Sequence, residues 1–194
     1  MKIYIIRHGI TMANEKKLYC GKTDLPLTPK GVEGLNILKE ADIYPRDVQL
    51  YYTSGLLRTK ETLRLIYGNV KAMALPNLNE FNFGDFEMKS YDDLKDQQDY
   101  QRWITDETGL VPCPQGDSKE MFARRVTKGY NQILHRAKNK ENSLVVCHGG
   151  VIAHIMEGLF PGRENFYGWQ PSPGHGYGVS YANEMCAPEG FEGI

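Results

Sequence analysis

Apolar and polar positions along the chain follow two alternating periods. Lys2-Ile3-Tyr4-Ile5-Ile6 is a short β-favouring run that stops at Arg7-His8-Gly9, the pattern of a buried strand carrying polar groups to a sheet edge. Residues 18–28 read as loop, punctuated by Gly21, Asp24 and Pro26. Thr28-Pro29 then looks like a helix cap with proline at the first helical position, and Val32, Leu35 and Leu38 recur at helical spacing to about Ala41. Residues 49–54 predict a second strand, followed by a helix from the Ser54–Arg58 region that stops at Gly68. Residues 71–78 predict a third strand, which Pro76 confines to an edge or a strand end. This strand-helix alternation is the pattern of a parallel sheet.

The second half is more mixed. Residues 78–87 place three Phe among Asn, Asp and Gly, which predicts a loop folded over a pocket more than a strand. Ser90 and Asp93 form a capping pair for one polar helix through Trp103, and residues 109–116 are loop. Asp117 and Glu120 resemble a capping box for a long helix with Phe122, Val126, Tyr130, Ile133 and Leu134 as its apolar stripe. Ser143-Leu144-Val145-Val146-Cys147 is a buried strand that runs into His148-Gly149-Gly150 and a mostly apolar helix. A last strand is expected over residues 176–182, with a loose tail from Ala187. The expectation is one domain over 1–194, with residues 81–116 as an insertion over the open end of the sheet.

Composition narrows the partners. Folded as one domain, 194 residues bury roughly 70% of the unfolded surface, enough for a core without staples. A formal net charge of −1 supplies no general field for nucleic acid or an anionic membrane, so the expected ligand is a small molecule held by a local cluster. Cys20, Cys113, Cys147 and Cys186 are scattered, with no metal-type C-x-x-C spacing. No secretory leader pattern or long apolar span occurs. The expectation is a cytoplasmic protein with free thiols, no metal and no cofactor; a homodimer is left open.

The chemistry sits at the strand ends. A neutral imidazole can attack phosphorus, and a guanidinium grips two phosphate oxygens at once. Arg7 and His8 alone are equally compatible with a surface Arg and a capping His. However, the strand-His-Gly design occurs twice, at His8 and His148, and Arg58 follows a third strand end. In open α/β sheets ligands collect beyond the carboxyl ends of the strands, and Gly149 and Gly150 would let helix-start amides face an anion.

The motifs Arg7-His8-Gly9-x-Thr11-x-x-Asn14, Gly21-x-x-Asp24-x-Pro26-Leu27-Thr28-x-x-Gly31, Ser54-x-x-x-Arg58-x-x-x-Thr62, Glu80-x-x-Phe83-Gly84-x-x-Glu87 and His148-Gly149-Gly150 occur in order along most of the chain. Together they resemble the histidine phosphatase superfamily, in its phosphoglycerate mutase-like branch. The resemblance implies an α/β fold, a three-layer α/β/α sandwich with a mostly parallel central sheet and the small insertion over the active site. It further implies His8 as nucleophile, Glu80 as the general acid that later activates water, and His148, Arg7, Arg58, Asn14 and the Gly149 amide as groups holding the phosphate. Burial and the phosphate charge are expected to raise the Glu80 pKa. Glu87 is expected to be structural.

Several residues read more simply. His154 is expected in core or cap, His135 at the surface and His175 in a loop, and at least half of Phe81, Phe83, Phe86 and Trp103 are expected to be packing. Thr59 stands where the family commonly has Ala, Met88 where it has Gly, Cys20 where Gln is frequent, and Gly116-Asp117-Ser118 carries the shorter acid of a Gly-Glu-Ser turn. None removes a catalytic group, so the reaction is kept and the substrate is open among α-ribazole phosphate, phosphosugars and phosphoserine. The expected function is a phosphomonoesterase acting on a small phosphorylated metabolite. The alternatives are a cofactor-dependent phosphoglycerate mutase, whose chains are usually longer, a non-catalytic phospholigand sensor, and a metal-dependent hydrolase for which no ligand cluster speaks.

Overall fold

The computed structural model describes residues 1–137, 141–182 and 187–194; Cys186 lies outside the described residues. Strands β1 (Lys2–Arg7), β2 (Leu50–Thr53), β3 (Ala72–Ala74), β4 (Ser143–Cys147), β5 (Gly176–Ser180) and β6 (Gly190–Gly193) form one sheet in the order β3-β2-β4-β1-β5-β6. The first four pair in parallel; β5 is antiparallel to β1 and β6 to β5.

Side chains alternate across this sheet as strand geometry demands. Tyr4, Ile6, Leu144 and Val146 pack with Leu35 of helix α2 (Pro29–Glu40) and with Leu63 and Ile66 of α3 (Leu57–Tyr67). On the other face Ile3, Ile5, Val145 and Cys147 meet Phe122, Val126 and Ile133 of α6 (Lys119–Arg136) and Val151, Ile152 and Ile155 of α7 (Gly149–Leu159). The result is the expected three-layer α/β/α sandwich. The first short helix, α1 (Met12–Glu15), follows β1 directly.

The third strand is confined to Ala72–Ala74, with Pro76–Leu78 in a 3-10 turn, and the remaining elements depart from the sequence expectations in three further places. Residues 90–103 form two helices, α4 (Tyr91–Leu94) and α5 (Gln98–Ile104), not one. Leu94 and Trp103 are nine residues apart, which on one continuous helix would put them about 180° apart. The break at Gln97, whose backbone is extended, lets Leu94, Tyr100 and Trp103 all face the same core. Secondly, the long helix is capped by Ser118, whose Oγ accepts from the Met121 amide at 3.1 Å, and not by Asp117. The Asp117 carboxylate instead accepts from Arg125 at 3.0 Å and from the Asn82 amide at 3.1 Å. Thirdly, the tail is not loose: Gly190–Gly193 is an edge strand, anchored by Phe191 against Phe160 and Trp169 with ring centroids 4.7 and 5.1 Å apart.

The segment from Phe81 to Trp103 is dominated by packing. Phe81, Phe86, Tyr100 and Trp103 are buried, and their rings meet at centroid distances of 5.5–5.8 Å. They join the same hydrophobic cluster as the α6/α7 face of the sheet. Among the described residues no helix is long and apolar enough to cross a membrane.

Candidate active site

Sheet register assembles the site. Arg7 on β1 is level with Cys147 on β4, so His8 and His148 leave adjacent parallel strands side by side. Their rings lie edge to face with centroids 5.2 Å apart. Thr53 pairs with Val146 on the other side of β4, which brings Ser54 beneath His148.

Hydrogen bonds define both imidazoles. His8 Nδ1 lies 2.7 Å from the Gly9 carbonyl; a carbonyl only accepts, so Nδ1 carries the proton and Nε2 keeps its lone pair. His148 is reversed. The Arg58 Nε–H donates to His148 Nδ1 at 3.3 Å, so the proton lies on Nε2, which donates to Ser54 Oγ at 2.9 Å. Burial first, and then the Arg58 charge, push His8 down to about 3 and hold His148 well below the usual imidazole range. Both rings are therefore neutral near neutral pH.

Two guanidinium groups flank them. Arg58 is 1% exposed and donates to the backbone carbonyls of Thr23 at 2.9 Å and Gly21 at 2.8 Å. Arg7 donates to the Pro171 carbonyl at 2.8 Å, while its buried Nε has no partner among the described residues. Neither arginine makes an ion pair within 4.0 Å among the described residues. Drawing a cation out of water without a counterion in contact is costly, and here half-buried Arg7 and buried Arg58 converge beside His8 with Glu80 as the carboxylate acting on both from beyond 4.0 Å.

Glu80 completes the ring of groups. Its carboxylate accepts from the Gly150 amide at 2.9 Å and from the Phe81 amide at 2.9 Å, which seats it at the start of α7 next to His148. Gly149 lies against Arg7: a Cβ there would be 3.2 Å from the guanidinium carbon. A Cβ on Gly150 would come 2.5 Å from Glu80 Oε1. Asn14 stands further out. Its Oδ1 accepts from the Thr11 amide and hydroxyl, both at 2.9 Å, which leaves its NH₂ to serve an anion. Asn14 and Arg7 share a cavity of roughly 450 Å³ with Ile10, Leu18, Lys17 and Pro173, which His8, Glu80 and His148 do not line.

Reading the sequence expected Glu87 to be structural without disclosing its partners, and it missed Asp24 and Thr62 as groups that hold these side chains. Glu87 accepts from the amides of Gly21, Lys22, Thr23 and Phe83 and from the Thr23 hydroxyl, at 2.6–3.2 Å. It thus fixes the loop whose carbonyls hold Arg58. Asp24 caps α3 through the Leu57 amide at 2.7 Å, and Thr62 accepts from the Gly9 amide at 3.0 Å. All three stand in the motifs quoted above, but spacing alone does not disclose whom they bond. The other histidines fall outside the site: His154 contacts Thr127 Oγ1 at 3.2 Å, His135 is exposed, and His175 donates to the Ile194 carbonyl at 2.9 Å. No group of three His, Cys, Asp or Glu able to hold a metal occurs among the described residues, and Cys20, Cys113 and Cys147 are free thiols.

Comparison with known proteins agrees with this geometry. The family model for the histidine phosphatase superfamily (branch 1) matches residues 3–184. The adenosylcobalamin/alpha-ribazole phosphatase of Salmonella typhimurium is 35% identical over 167 residues, covering 82% of this chain and 79% of its own. A 2,3-bisphosphoglycerate-dependent phosphoglycerate mutase of Bradyrhizobium diazoefficiens is 30% identical over 175 residues, covering 82% of each chain. The crystal structure of the alpha-ribazole phosphatase from Shigella flexneri superposes with a TM-score of 0.82 at 29% identity, covering 95% of this chain and 92% of that one. The paired strand-end histidines, the α/β/α sandwich and a match along nearly the whole sequence have one common source: the chain belongs to the histidine phosphatase superfamily, branch 1.

Proposed function

We propose that this protein is a metal-independent phosphomonoesterase that works through a phosphohistidine on His8. The observation that carries the reading is electrostatic: among the described residues Arg7 and Arg58 have no carboxylate within 4.0 Å, only the more distant charge of Glu80 acting on both, and they stand beside a neutral imidazole whose Nε2 lone pair is uncommitted. A phosphate dianion supplies a counter-charge in direct contact with both. His8 Nε2 attacks phosphorus, the P–O bond to the alcohol breaks, and the guanidinium groups stabilise the charge on the equatorial oxygens. Glu80 delivers a proton to the leaving oxygen. As carboxylate it then removes a proton from water, which attacks the phosphohistidine and releases phosphate and the free imidazole. Asn14 and the Gly149 amide add donors to the bound phosphate; His148, expected from the sequence as a further phosphate donor, has its one N–H on Ser54 Oγ and its Nδ1 lone pair on the Arg58 Nε–H, so it serves the phosphate by orienting Arg58.

Relatives named as alpha-ribazole phosphatases make α-ribazole phosphate the substrate to test first, in a cytoplasmic setting suited to free thiols. Mutase activity is the second reading, favoured by relatives of that name, and differs in whether water or a second hydroxyl of the substrate takes the phosphoryl group. The test compares phosphate release from a monoester panel that includes α-ribazole phosphate with 3-phosphoglycerate isomerisation primed by the bisphosphate. Wild type should yield an acid-labile phosphoenzyme and His8→Ala should yield none. Hydrolysis undiminished in His8→Ala refutes the mechanism, and isomerisation without comparable release refutes the choice of phosphatase.

A further inference from the structure

Beneath His148 runs a buried chain of hydroxyl groups that ends at Thr59. His148 Nε2 lies 2.9 Å from Ser54 Oγ, and Ser54 Oγ lies 3.2 Å from Thr59 Oγ1. Thr59 Oγ1 in turn lies 2.7 Å from the Leu56 carbonyl. His148 and Thr59 are fully buried and Ser54 is 1% exposed. The last acceptor decides the direction of every proton. A carbonyl cannot donate, so the Thr59 hydroxyl gives its hydrogen to Leu56 and offers only a lone pair to Ser54. Ser54 must then donate to Thr59 and accept from His148, which places the imidazole proton on Nε2 and leaves Nδ1 as a lone pair. Nδ1 is the atom that receives the Arg58 Nε–H.

We propose that Thr59 is a positioning residue that sets the tautomer of His148 and, through its Nδ1 lone pair, the orientation of the Arg58 guanidinium. The chain is held from both ends: the Arg58 guanidinium can only donate and the Leu56 carbonyl can only accept, while the Leu56 amide, donating to Ser54 Oγ at 3.4 Å, likewise leaves the Ser54 hydrogen for Thr59. The Arg58 end is the longer contact, at 3.3 Å. In the proposed function a bound phosphate competes for the same guanidinium, so Thr59 is then the end that keeps the polarity. Without its hydroxyl, Ser54 is free to turn its hydrogen toward Nε2. The opposite tautomer then presents an N–H at Nδ1 directly to the Nε–H of Arg58, two donors facing each other.

The tautomer statement stands on geometry alone; its kinetic consequence rests on the phosphatase reading. Long-range ¹H–¹⁵N correlation spectra of the protein with ¹⁵N-histidine, with and without inorganic phosphate, report which nitrogen of His148 carries the proton. Wild type and Thr59→Ser should show the Nε2–H form, while Thr59→Val, isosteric but without the hydroxyl, should show the Nδ1–H form in addition. With p-nitrophenyl phosphate, Thr59→Val should lower kcat/KM about three- to tenfold, the scale of one net hydrogen bond, and Thr59→Ser should restore most of it. Thr59→Ala serves both measurements if the valine variant does not fold. An Nδ1–H form in wild type, or an unchanged tautomer in Thr59→Val and Thr59→Ala, overturns the proposal. A changed tautomer with unchanged kcat/KM overturns its link to Arg58. The spectra decide the tautomer even if His8→Ala retains activity, so failure of the phosphatase reading is separately visible.

Discussion

Replacing Glu87 tests whether Arg58 is held by the loop that this carboxylate organises. The two oxygens of Glu87 accept from four backbone amides and one hydroxyl across residues 21–23 and 83. In the same loop the carbonyls of Gly21 and Thr23 accept from the Arg58 guanidinium. The loop has no alternative seat, because Gly21 packs so tightly that a Cβ there would sit 1.6 Å from the Phe81 carbonyl oxygen. Glu87→Ala leaves those donors to partial rescue by water, and at about 1 kcal/mol net for each of the better-buried bonds the cost is roughly 2–4 kcal/mol of stability. Removing Arg58 itself is expected to cost on the order of a hundredfold in kcat/KM, about 3 kcal/mol. Displacing it should cost about tenfold, an intermediate loss. Urea unfolding measures the first effect and phosphate-release kinetics the second. The decisive measurement is a double-mutant cycle with Arg58→Ala. If Glu87 acts through Arg58, its removal changes kcat/KM by less than about threefold once Arg58 is gone. Fully additive losses would refute the reasoning, since they would mean that Glu87 acts on the site by another route.

Three other outcomes are expected. Gly150→Ala, whose Cβ would come 2.5 Å from Glu80 Oε1, should displace that carboxylate and lower kcat by at least about tenfold for alkyl monoesters; p-nitrophenyl phosphate, whose leaving group needs little protonation, should be affected less, and equal losses on both esters would argue against Glu80 as the acid. Acid should destabilise the fold through His8 and His148. The unfolded chain takes up these protons below about pH 6.5, whereas His8 in the fold does so only near 3, so stability falls with decreasing pH across that window by about 1.4 kcal/mol per pH unit for each such group. His8→Gln should flatten the pH dependence of the urea midpoint there, and an unchanged slope would contradict the neutral buried imidazole. Finally, chelator should leave turnover unaltered; loss of activity in EDTA, restored by a divalent cation, would refute a metal-independent mechanism.

Much of the fold was legible because local pattern and tertiary role coincide. Ile3 to Ile6 and Leu144 to Cys147 are apolar on both faces because helices cover both sides of their strands, so the runs announce central parallel strands without ambiguity. Thr28-Pro29 is a cap in sequence and in structure, its Oγ accepting from the Gly31 amide at 3.1 Å. The strand-end positions of His8 and His148 follow from the same logic, since each ends an apolar run, and Arg58 sits in the first turn of the helix that follows a third strand.

What the sequence did not disclose depends on contacts between distant segments. Asp117 and Ser118 are both competent helix caps by local rules; Arg125 and the Asn82 amide claim Asp117 and leave the cap to Ser118. The tail Gly190–Gly193 has a glycine-rich sequence with weak strand propensity, and it becomes a strand because β5 offers an open edge and Phe191 finds a pocket of aromatic rings. In the site, the sequence by itself determined which chemical groups are present: two imidazoles, two guanidinium groups and a carboxylate. Only the tertiary structure decided their states. The proton on His8 is placed by the Gly9 carbonyl and that on His148 by Arg58 and Ser54. Tautomer, ionisation and orientation are properties of hydrogen-bond partners, and in this chain most of those partners lie tens of residues away.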